Sequence, residues 1–233
     1  MDFKKELLNL DIVLNEEMER RFEIYYNTLV ETNEKMNLTA ITEKEEVYCK
    51  HFLDSLEIKR ALNQNGDFTL CDVGSGAGFP SIPLAIVNSD CKVTIIDALN
   101  KRIKFLNSLV EELKLNNVIA LHRRAEDFVK EKRESFDVVT ARAVARLNIL
   151  VELCLPLTKI GGQMIAMKGS SGEEELEEAK KAITVLGGKV ERIISVDLPE
   201  DFGKREIIII SKVKNTPQKY PRQFAKIKER PIS

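Results

Sequence analysis

The residues with the clearest chemical potential are glycines at alternate positions, Gly74, Gly76 and Gly78, with Asp72 two residues before them. Glycines between a strand and a helix let the backbone turn tightly and approach a ligand closely. Dinucleotide-binding loops have the spacing GxGxxG around a pyrophosphate, whereas this segment has GxGxG. An acid and backbone N–H groups suit a ligand that carries an ammonium and a carboxylate. A tight turn without a ligand is the alternative for this segment alone.

Acidic residues also follow the next two predicted strands, at Asp97 and Glu126. In nucleoside-binding folds, an acid about twenty residues beyond the glycine loop accepts both ribose hydroxyls. Ala125 and Glu126 stand where such folds place adenine. A helix N-cap at Asp97 and first-turn acids at Glu126 are the alternatives. The combined spacing favours the nucleoside reading and S-adenosylmethionine as the cofactor.

Basic residues lie at or near the ends of predicted strands. Arg142 and Lys168 end strands four and five, at the carboxyl edge where ligands bind in open α/β sheets. Arg124 follows strand three, Arg205 starts the last strand, and Lys101 lies in the first turn of a helix. We expect these cations to orient a substrate or contact phosphate. A solvated surface position is the alternative for each of them.

The remaining candidate ligands do not predict a metal site. His51 and His122 are the two histidines, and we interpret both as structural, with His51 on a helix that faces the core. The four cysteines are scattered without a CxxC motif, which predicts reduced, buried thiols in a cytosolic protein. They are Cys49, Cys71, Cys91 and Cys154.

The composition bounds the function classes. The 233 residues carry a formal net charge of −1, so any surface for nucleic acid must be local. No apolar run reaches the roughly 20 residues that a membrane helix requires. The charged N-terminal segment lacks the apolar stretch of a secretory signal. We therefore predict a cytoplasmic protein without membrane contact, and a monomer.

Alternating strands and helices must position the residues above. The predicted strands cover 68–73, 92–97, 118–123, 136–141, 162–168, 189–196 and 205–213. The predicted helices between them cover 82–88, 101–115, 126–130, 149–157 and 173–186. The first five strands predict right-handed βαβ units and a mostly parallel sheet. The short loop between the last two strands predicts an antiparallel hairpin. This plan is typical of Rossmann-like methyltransferases.

Helical periodicity without a strand pattern extends from Lys4 to about Lys59. We therefore predict a helical extension over residues 1–66, the α/β core over 67–213 and a basic tail over 214–233. From Lys212 to Arg230 the chain has seven basic residues and one acidic residue, with Tyr220 and Phe224 interleaved. Such a tail is either solvated and disordered or a phosphate contact.

Several motifs in order resemble the ribosomal RNA small-subunit methyltransferase G family, also called glucose-inhibited division protein B. The resemblance covers about residues 36–211. It rests on NLTAI at 37–41, HFLDSL at 51–56, DVGSGAGFPSIPLAI at 72–86, DALNKR at 97–102 and TARA at 140–143. The extension of the glycine loop is more distinctive than the glycines. Ala98 departs from the family, in which serine is frequent beside the ribose acid.

The resemblance implies a Rossmann-like methyltransferase core, S-adenosylmethionine as cofactor and methylation at N7 of one guanine in 16S ribosomal RNA. Family cofactor positions correspond to Gly74, Phe79, Ala125, Glu126 and Arg142. Polar positions around the family's target base correspond to Asn37, Lys101, Arg124, Lys168 and Arg205. Without the resemblance, Asn37 would be interpreted as a turn or cap residue.

Two other functions share these features. A methyltransferase that acts on another RNA or on a small molecule would use the same loop and Asp97. A non-catalytic RNA-binding assembly factor could keep the nucleoside pocket as a scaffold. Cofactor binding distinguishes the second alternative, and the basic edge of the sheet argues against a small-molecule substrate.

Overall fold

A computed structural model describes residues 1–63 and 66–232. The predicted boundary between the helical extension and the core, at residue 66, adjoins residues 64 and 65, which lie outside this description. Seven strands form one sheet in the order β3-β2-β1-β4-β5-β7-β6. The strands are β1 Phe68–Val73, β2 Cys91–Asp97, β3 Val118–His122, β4 Phe136–Arg142, β5 Thr158–Lys168, β6 Gly188–Asp197 and β7 Lys204–Lys212.

The strand pairing confirms the predicted Rossmann-like methyltransferase fold. Strands β1 to β5 are mutually parallel, and β7 lies between β5 and β6 and is antiparallel to both. Strand β5 begins at Thr158, four residues before the predicted start at 162. The pairing of β4 with β5 is irregular there, and Gly161 has a positive φ, so the segment has the composition of a turn although it pairs as a strand.

Helices flank the sheet at the predicted places, with ends that differ by up to three residues. They are α5 Ser81–Val87, α6 Asn100–Glu112, α7 Ala125–Lys132, α8 Leu147–Cys154 and α9 Gly172–Val185. Helix α6 ends at Glu112, before the predicted 115, because Lys114 adopts a left-handed conformation with φ of 52°. The predicted short turn at 126–130 is a helix of eight residues, α7.

The N-terminal segment is helical, as its periodicity predicts. It contains α1 Phe3–Leu8, α2 Glu16–Met36, α3 Lys44–Val47, a π-helical turn Tyr48–Leu53, α4 Asp54–Leu56 and a 3₁₀ turn Glu57–Ala61. Asn15 caps α2 by accepting a hydrogen bond from the Met18 N–H at 2.9 Å. Phe22 and Phe52 are buried in the same apolar cluster as Leu70 of β1, so these helices share the core of the sheet.

The C-terminal segment also packs on the core. It includes α10 Phe224–Glu229, whose Ile227 is fully buried among residues of α7, α8 and α9. Over the described residues, this segment therefore contacts the core and does not form a free basic arm.

Candidate cofactor and substrate site

The glycine loop joins β1 to α5 at the carboxyl edge of the sheet, as predicted. Gly76 has φ of +64°, and a Cβ atom added there would meet no described atom within 4 Å. Gly78 has φ of +104°, and a Cβ atom there would lie 2.7 Å from Ile82 and 2.8 Å from the Tyr25 hydroxyl. Only glycine fits this conformation and spacing without strain. Gly78 thus permits close packing, whereas Gly76 faces open space that a ligand can enter.

Helix α2 packs against the glycine loop through Tyr25. The buried Tyr25 hydroxyl donates a hydrogen bond to the Ala77 carbonyl at 2.7 Å, and its ring stacks on Phe79 with centroids 5.4 Å apart. Burial raises the pKa of Tyr25 well above its ordinary value, so this hydroxyl remains a donor. The N-terminal helices therefore fix the loop conformation.

Three polar groups at or beneath the loop have no hydrogen-bond partner among the described residues. They are both carboxylate oxygens of Asp72, which is fully buried, the hydroxyl of Ser75 and the buried Ser81 hydroxyl at the start of α5. Burial raises the pKa of Asp72 to about 7, although Ser81 lies close enough to lower it without reaching hydrogen-bond geometry. Buried polar groups without partners are rare in native proteins, so they are consistent with an absent ligand.

A pocket of about 130 Å³ opens beside the loop, and we name it the glycine-loop pocket. Its walls include Gly74, Asp97, Ala125, Glu126, Val144 and Phe224. The buried Asp97 carboxylate accepts hydrogen bonds from the Leu99 N–H at 2.8 Å and the Gly76 N–H at 3.4 Å. Asp97 therefore ties the loop to the start of α6, and it borders the pocket as the spacing predicts.

A second cavity of about 570 Å³ adjoins the first, and we name it the basic cavity. Lys50, His51, Arg142, Lys168 and Arg205 line it, so it collects three of the predicted cations from β4, β5 and β7. Val144 lines both cavities. The two cavities therefore share a wall at the carboxyl edge of the sheet.

Arg142 is held from several sides. Its guanidinium donates to the Asp54 carboxylate at 2.9 Å and to the Lys50 carbonyl at 3.3 Å. It also lies 4.9 Å from the centroid of the Phe79 ring. The Arg142 side chain is 14% exposed, which leaves part of it facing the basic cavity. Arg142 is therefore a fixed guanidinium at the edge of the sheet.

The other cations of the basic cavity are also paired with acids. Arg205 donates to the second oxygen of Asp54 at 3.1 Å, so one carboxylate orients two arginines. Lys168 donates to Glu175 of α9 at 2.7 Å and to the Ala145 carbonyl at 2.6 Å. Burial raises the pKa of Glu175, but hydrogen bonds from Lys168 and the Leu147 N–H outweigh it and hold the pKa below its ordinary value. Arg205 and Lys168 are therefore both held in fixed orientations by acidic partners.

His51 lies between Phe79 of the glycine loop and Arg142. Its ring stacks on Phe79 with centroids 4.6 Å apart, and its Nε2 lies 2.7 Å from the Thr39 hydroxyl. Burial and the charge of Arg142 lower the pKa of His51 to about 4. The ring is therefore neutral near pH 7, which fits the predicted structural role in the wall of the site.

The remaining predicted site residues, Arg124, Asn37 and Lys101, lie outside the basic cavity. Arg124 borders the glycine-loop pocket with an exposed side chain, 3.8 Å from Glu126. Asn37 ends α2 in a left-handed conformation with φ of 48° and is exposed. Lys101 is exposed in the first turn of α6, whereas its neighbour Arg102 pairs with Asp97 at 3.3 Å. Neither Asn37 nor Lys101 borders the two cavities defined above.

Four contributors to the site are not apparent from sequence reasoning. Tyr25 and Asp54 come from the N-terminal helices, Glu175 from an acidic run that the helix dipole explains equally well, and Phe224 from the tail. Asp54 lies within HFLDSL, one of the segments that carry the family resemblance, and this is the sequence feature that points to a role for Asp54. Tyr25 acts on Ala77, 52 positions further along the chain, and Phe224 lines a pocket whose other walls come from the α/β core.

The described residues contain no helix that is long and apolar enough to cross a membrane. Across residues 1–63 and 66–232, no group of three or more His, Cys, Asp or Glu side chains is arranged to hold a metal ion. The four cysteines are free thiols and buried, as predicted.

The sheet order, the glycine loop and the adjoining pocket define a Rossmann-like methyltransferase. Solved structures share this fold: a precorrin-6y methyltransferase from Geobacter metallireducens has a TM-score of 0.54 at 16% identity, covering 74% of this chain and 90% of that chain. M. jannaschii TYW2 in complex with AdoMet has a TM-score of 0.52 at 22% identity, covering 66% of this chain and 72% of that chain.

Residues 18–207 match the family described as GidB, rRNA small subunit methyltransferase G, and the chain belongs to that family. Curated relatives carry the name ribosomal RNA small subunit methyltransferase G. The protein from Staphylococcus carnosus is 55% identical over 95% of this chain and 94% of its own length. That from Staphylococcus saprophyticus is 58% identical over 91% and 89%, respectively. The predicted family is thereby confirmed.

Proposed function

We propose that this protein transfers a methyl group from S-adenosylmethionine to N7 of a guanine in a conserved loop of 16S ribosomal RNA. The observation that carries the proposal is the shared wall at Val144 between the glycine-loop pocket and the basic cavity. A nucleoside-containing cofactor in the first and an anionic polynucleotide at the second would meet at this wall. The names of the family and of its relatives supply the class of substrate.

The residues of the loop fit the proposed cofactor. When bound, S-adenosylmethionine would supply an electrophilic methyl group on a positively charged sulfur. Asp72 and Ser75 have polar atoms without partners, and Asp72 is close enough to the loop to favour an ammonium group. Asp97 can accept ribose hydroxyls, and Ala125, Glu126 and Phe224 border the space for an adenine.

Guanine N7 has an in-plane lone pair and carries no proton, so its methylation needs no general base. The work of the residues is therefore alignment, because a correct orientation of the reacting atoms removes much of the entropic barrier. The neutral His51 is held by the Thr39 hydroxyl and by Phe79, in a packing role and not as a base. This chemistry agrees with a site in which the cations are held in fixed orientations by Asp54 and Glu175.

The cations have separate proposed roles. Arg142, fixed by Asp54, presents its remaining donors to O6 at the Hoogsteen edge of guanine, and this leaves the N7 lone pair free to attack the methyl group. Lys168 and Arg205, on the neighbouring strands, would hold the sugar-phosphate backbone. Arg124, Lys101 and Asn37 stay predicted RNA contacts outside the basic cavity. We propose a cytoplasmic enzyme that acts as a monomer on the small ribosomal subunit or its RNA.

The decisive experiment is tritium transfer from labelled S-adenosylmethionine to small ribosomal subunits from a strain deficient in this methylation. Nucleoside analysis of the product should give 7-methylguanosine as the labelled species. Label in another nucleoside would contradict the target atom, and label only in tRNA or a small molecule would contradict the substrate. Calorimetry with S-adenosylhomocysteine separates an enzyme from a non-catalytic assembly factor, because the latter does not require cofactor affinity.

A further inference from the structure

The C-terminal tail, residues 214–232, reaches the glycine-loop pocket. Its helix α10 places Phe224 among the residues that line this pocket. Phe224 is half-buried, so part of its ring stays available to a ligand. The opposite walls come from Gly74 of the loop and Ala125 of α7. A segment with the composition of a polycationic arm thus supplies an aromatic wall.

A buried ion pair fastens the tail directly before Phe224. Glu152 of α8 is fully buried and accepts three hydrogen bonds from Arg222: the backbone N–H at 2.8 Å, Nε at 2.9 Å and Nη2 at 2.6 Å. The hydrogen bond and charge of Glu152 raise the pKa of Arg222 above its ordinary value. A two-pronged guanidinium–carboxylate contact fixes both position and orientation. The next residue of α8, Leu153, itself lines the glycine-loop pocket, so the fastening and the pocket share a helix.

Further anchors hold the tail on either side of this pair. Before it, Arg133 donates to the Tyr220 carbonyl at 2.5 Å, and the Thr216 hydroxyl donates to the Leu186 carbonyl at 2.7 Å. After it, Ile227 is fully buried in the apolar cluster that α7, α8 and α9 form with the strands of the sheet. The tail is therefore a built part of the fold on both sides of Phe224. This arrangement leaves its basic surface to the exposed residues Lys214, Lys219, Lys226, Lys228 and Arg230.

We propose that Phe224 is a cofactor-binding residue that contacts the adenine ring, and that the Arg222–Glu152 pair is the clasp that positions it. The inference rests on the proposed function, from which it takes the ligand. The pocket combines apolar walls with the carboxylates of Asp97 and Glu126, which is the chemistry that an adenine nucleoside requires: apolar faces for the ring and acceptors for hydroxyl and amino groups. Binding of the cofactor then stabilises the docked tail, and the docked tail strengthens cofactor binding, because the coupling is reciprocal.

The test is calorimetric titration of the full-length protein with S-adenosylhomocysteine. Phe224→Ala should weaken binding about tenfold, since removing an aromatic face from a base costs on the order of a factor of ten or more. Phe224→Leu should bind with intermediate affinity because it keeps an apolar wall. Lys226→Ala, two residues further along the tail and exposed, is the matched control and should bind like the wild type.

The clasp is tested by Arg222→Lys, which keeps the charge but loses the planar fork. We expect a several-fold loss of affinity with an unchanged far-ultraviolet circular dichroism spectrum. In parallel, saturating S-adenosylhomocysteine should slow tryptic cleavage of the tail in the wild type. At the same ligand concentration, the tail of Phe224→Ala should be protected less. The proteolysis measures tail docking directly, so it does not depend on methyl transfer.

The outcomes separate this inference from the proposed function. If the wild type binds S-adenosylhomocysteine and a folded Phe224→Ala variant binds it with the same affinity, the role of Phe224 is overturned and the proposed function stays intact. Unchanged cofactor affinity combined with weaker binding of 16S RNA fragments would make the tail an RNA contact instead. A wild type that does not bind S-adenosylhomocysteine would overturn the proposed function and this inference together.

Discussion

Asp54 and Arg142, which are 88 positions apart in the sequence, form a hydrogen-bonded ion pair of 2.9 Å between the N-terminal helices and the carboxyl end of β4. The other carboxylate oxygen of Asp54 accepts from Arg205. The π-helical turn that precedes Asp54 leaves the Lys50 carbonyl available to Arg142 as well. The N-terminal helices therefore orient two cations of the basic cavity, Arg142 and Arg205, in addition to covering the sheet.

Asp54→Asn should lower both stability and methyl transfer. Both partners are largely buried, with side-chain exposures of 6% and 14%, so removing the charge leaves two guanidiniums poorly compensated. We expect a loss of about 3 kcal/mol of unfolding free energy, near the value for breaking a buried ion pair. Urea denaturation measures the stability, and a single-turnover assay measures the transfer. Asp67→Asn, which breaks an exposed pair with Lys92, should change neither, and equal losses in both variants would contradict the role of Asp54.

Asp97→Ala should weaken cofactor binding by about 1.5–3 kcal/mol for each charged hydrogen bond lost. Asp97 also anchors the Gly76 N–H, so part of the loss comes from a looser loop. Asp97→Asn keeps one acceptor oxygen, which can serve one of the two N–H groups, and should show the smaller effect. Calorimetry with S-adenosylhomocysteine gives the affinities, and Asp90→Ala at the exposed start of the same strand region is the control. Wild-type affinity in a folded Asp97→Ala protein would remove the ribose assignment.

Gly76→Val and Gly78→Ala should fail in different ways. At Gly76 the neighbouring space is open, so valine fills the ligand space and binding is lost, whereas the backbone strain costs about 1–2 kcal/mol. At Gly78 even alanine would press on Ile82 and Tyr25, so stability should fall first. Gly161, near the start of β5, has a similar positive φ in an open position, so Gly161→Val controls for backbone strain. Thermal unfolding and calorimetry on all three variants separate the effects, and full cofactor binding by folded Gly76→Val would contradict the loop assignment.

Much of the fold is predictable because its determinants are local. Alternation of strand and helix patterns gives the parallel sheet, and a short loop gives the hairpin at β6 and β7. The site is predictable where it follows from spacing, as for Asp97 and the glycine loop. Strand β5 begins earlier than predicted because Gly161 and its neighbour resemble a turn, although the backbone continues to pair.

The partners of the functional groups are not predictable from one sequence, because each joins segments that only the tertiary structure brings together. Glu175 is indistinguishable in sequence from the other first-turn acids of α9, yet it alone pairs with Lys168 among the described residues. Phe224 stands in a segment whose basic composition resembles a solvated arm. The buried Glu152 that fastens this segment lies 70 residues away from Arg222.

Asp72→Asn should change the pH dependence of stability. Burial raises the pKa of Asp72 from 3.8 to about 7, so the folded protein binds a proton that the unfolded protein has released between these values. Wild-type stability therefore falls through this group as the pH rises from about 4 to 7. The neutral asparagine lacks this loss, and the variant should gain on the wild type by up to about 4 kcal/mol across that interval. Urea denaturation at pH 5 and pH 8 gives the comparison and should detect about 2.6 kcal/mol of this change, because part of it lies below pH 5. A constant difference between the two proteins would contradict a buried, destabilised carboxylate. Cofactor affinity should fall in the same variant.

The pH dependence of methyl transfer tests whether the reaction needs a base. If guanine N7 reacts directly, the single-turnover rate with cofactor and RNA saturating should be nearly flat between about pH 6.5 and 9, where arginine and lysine remain charged. His51, with its pKa lowered to about 4, does not change charge in that interval. Arg142→Lys should lower the whole profile by on the order of tenfold to a hundredfold, the cost of one charged hydrogen bond, without changing its shape. A profile that rises steeply near pH 6.5 and becomes flat in His51→Gln or His122→Gln would identify a histidine base. The target would then be an exocyclic amine or a hydroxyl, and the assignment of guanine N7 would be withdrawn.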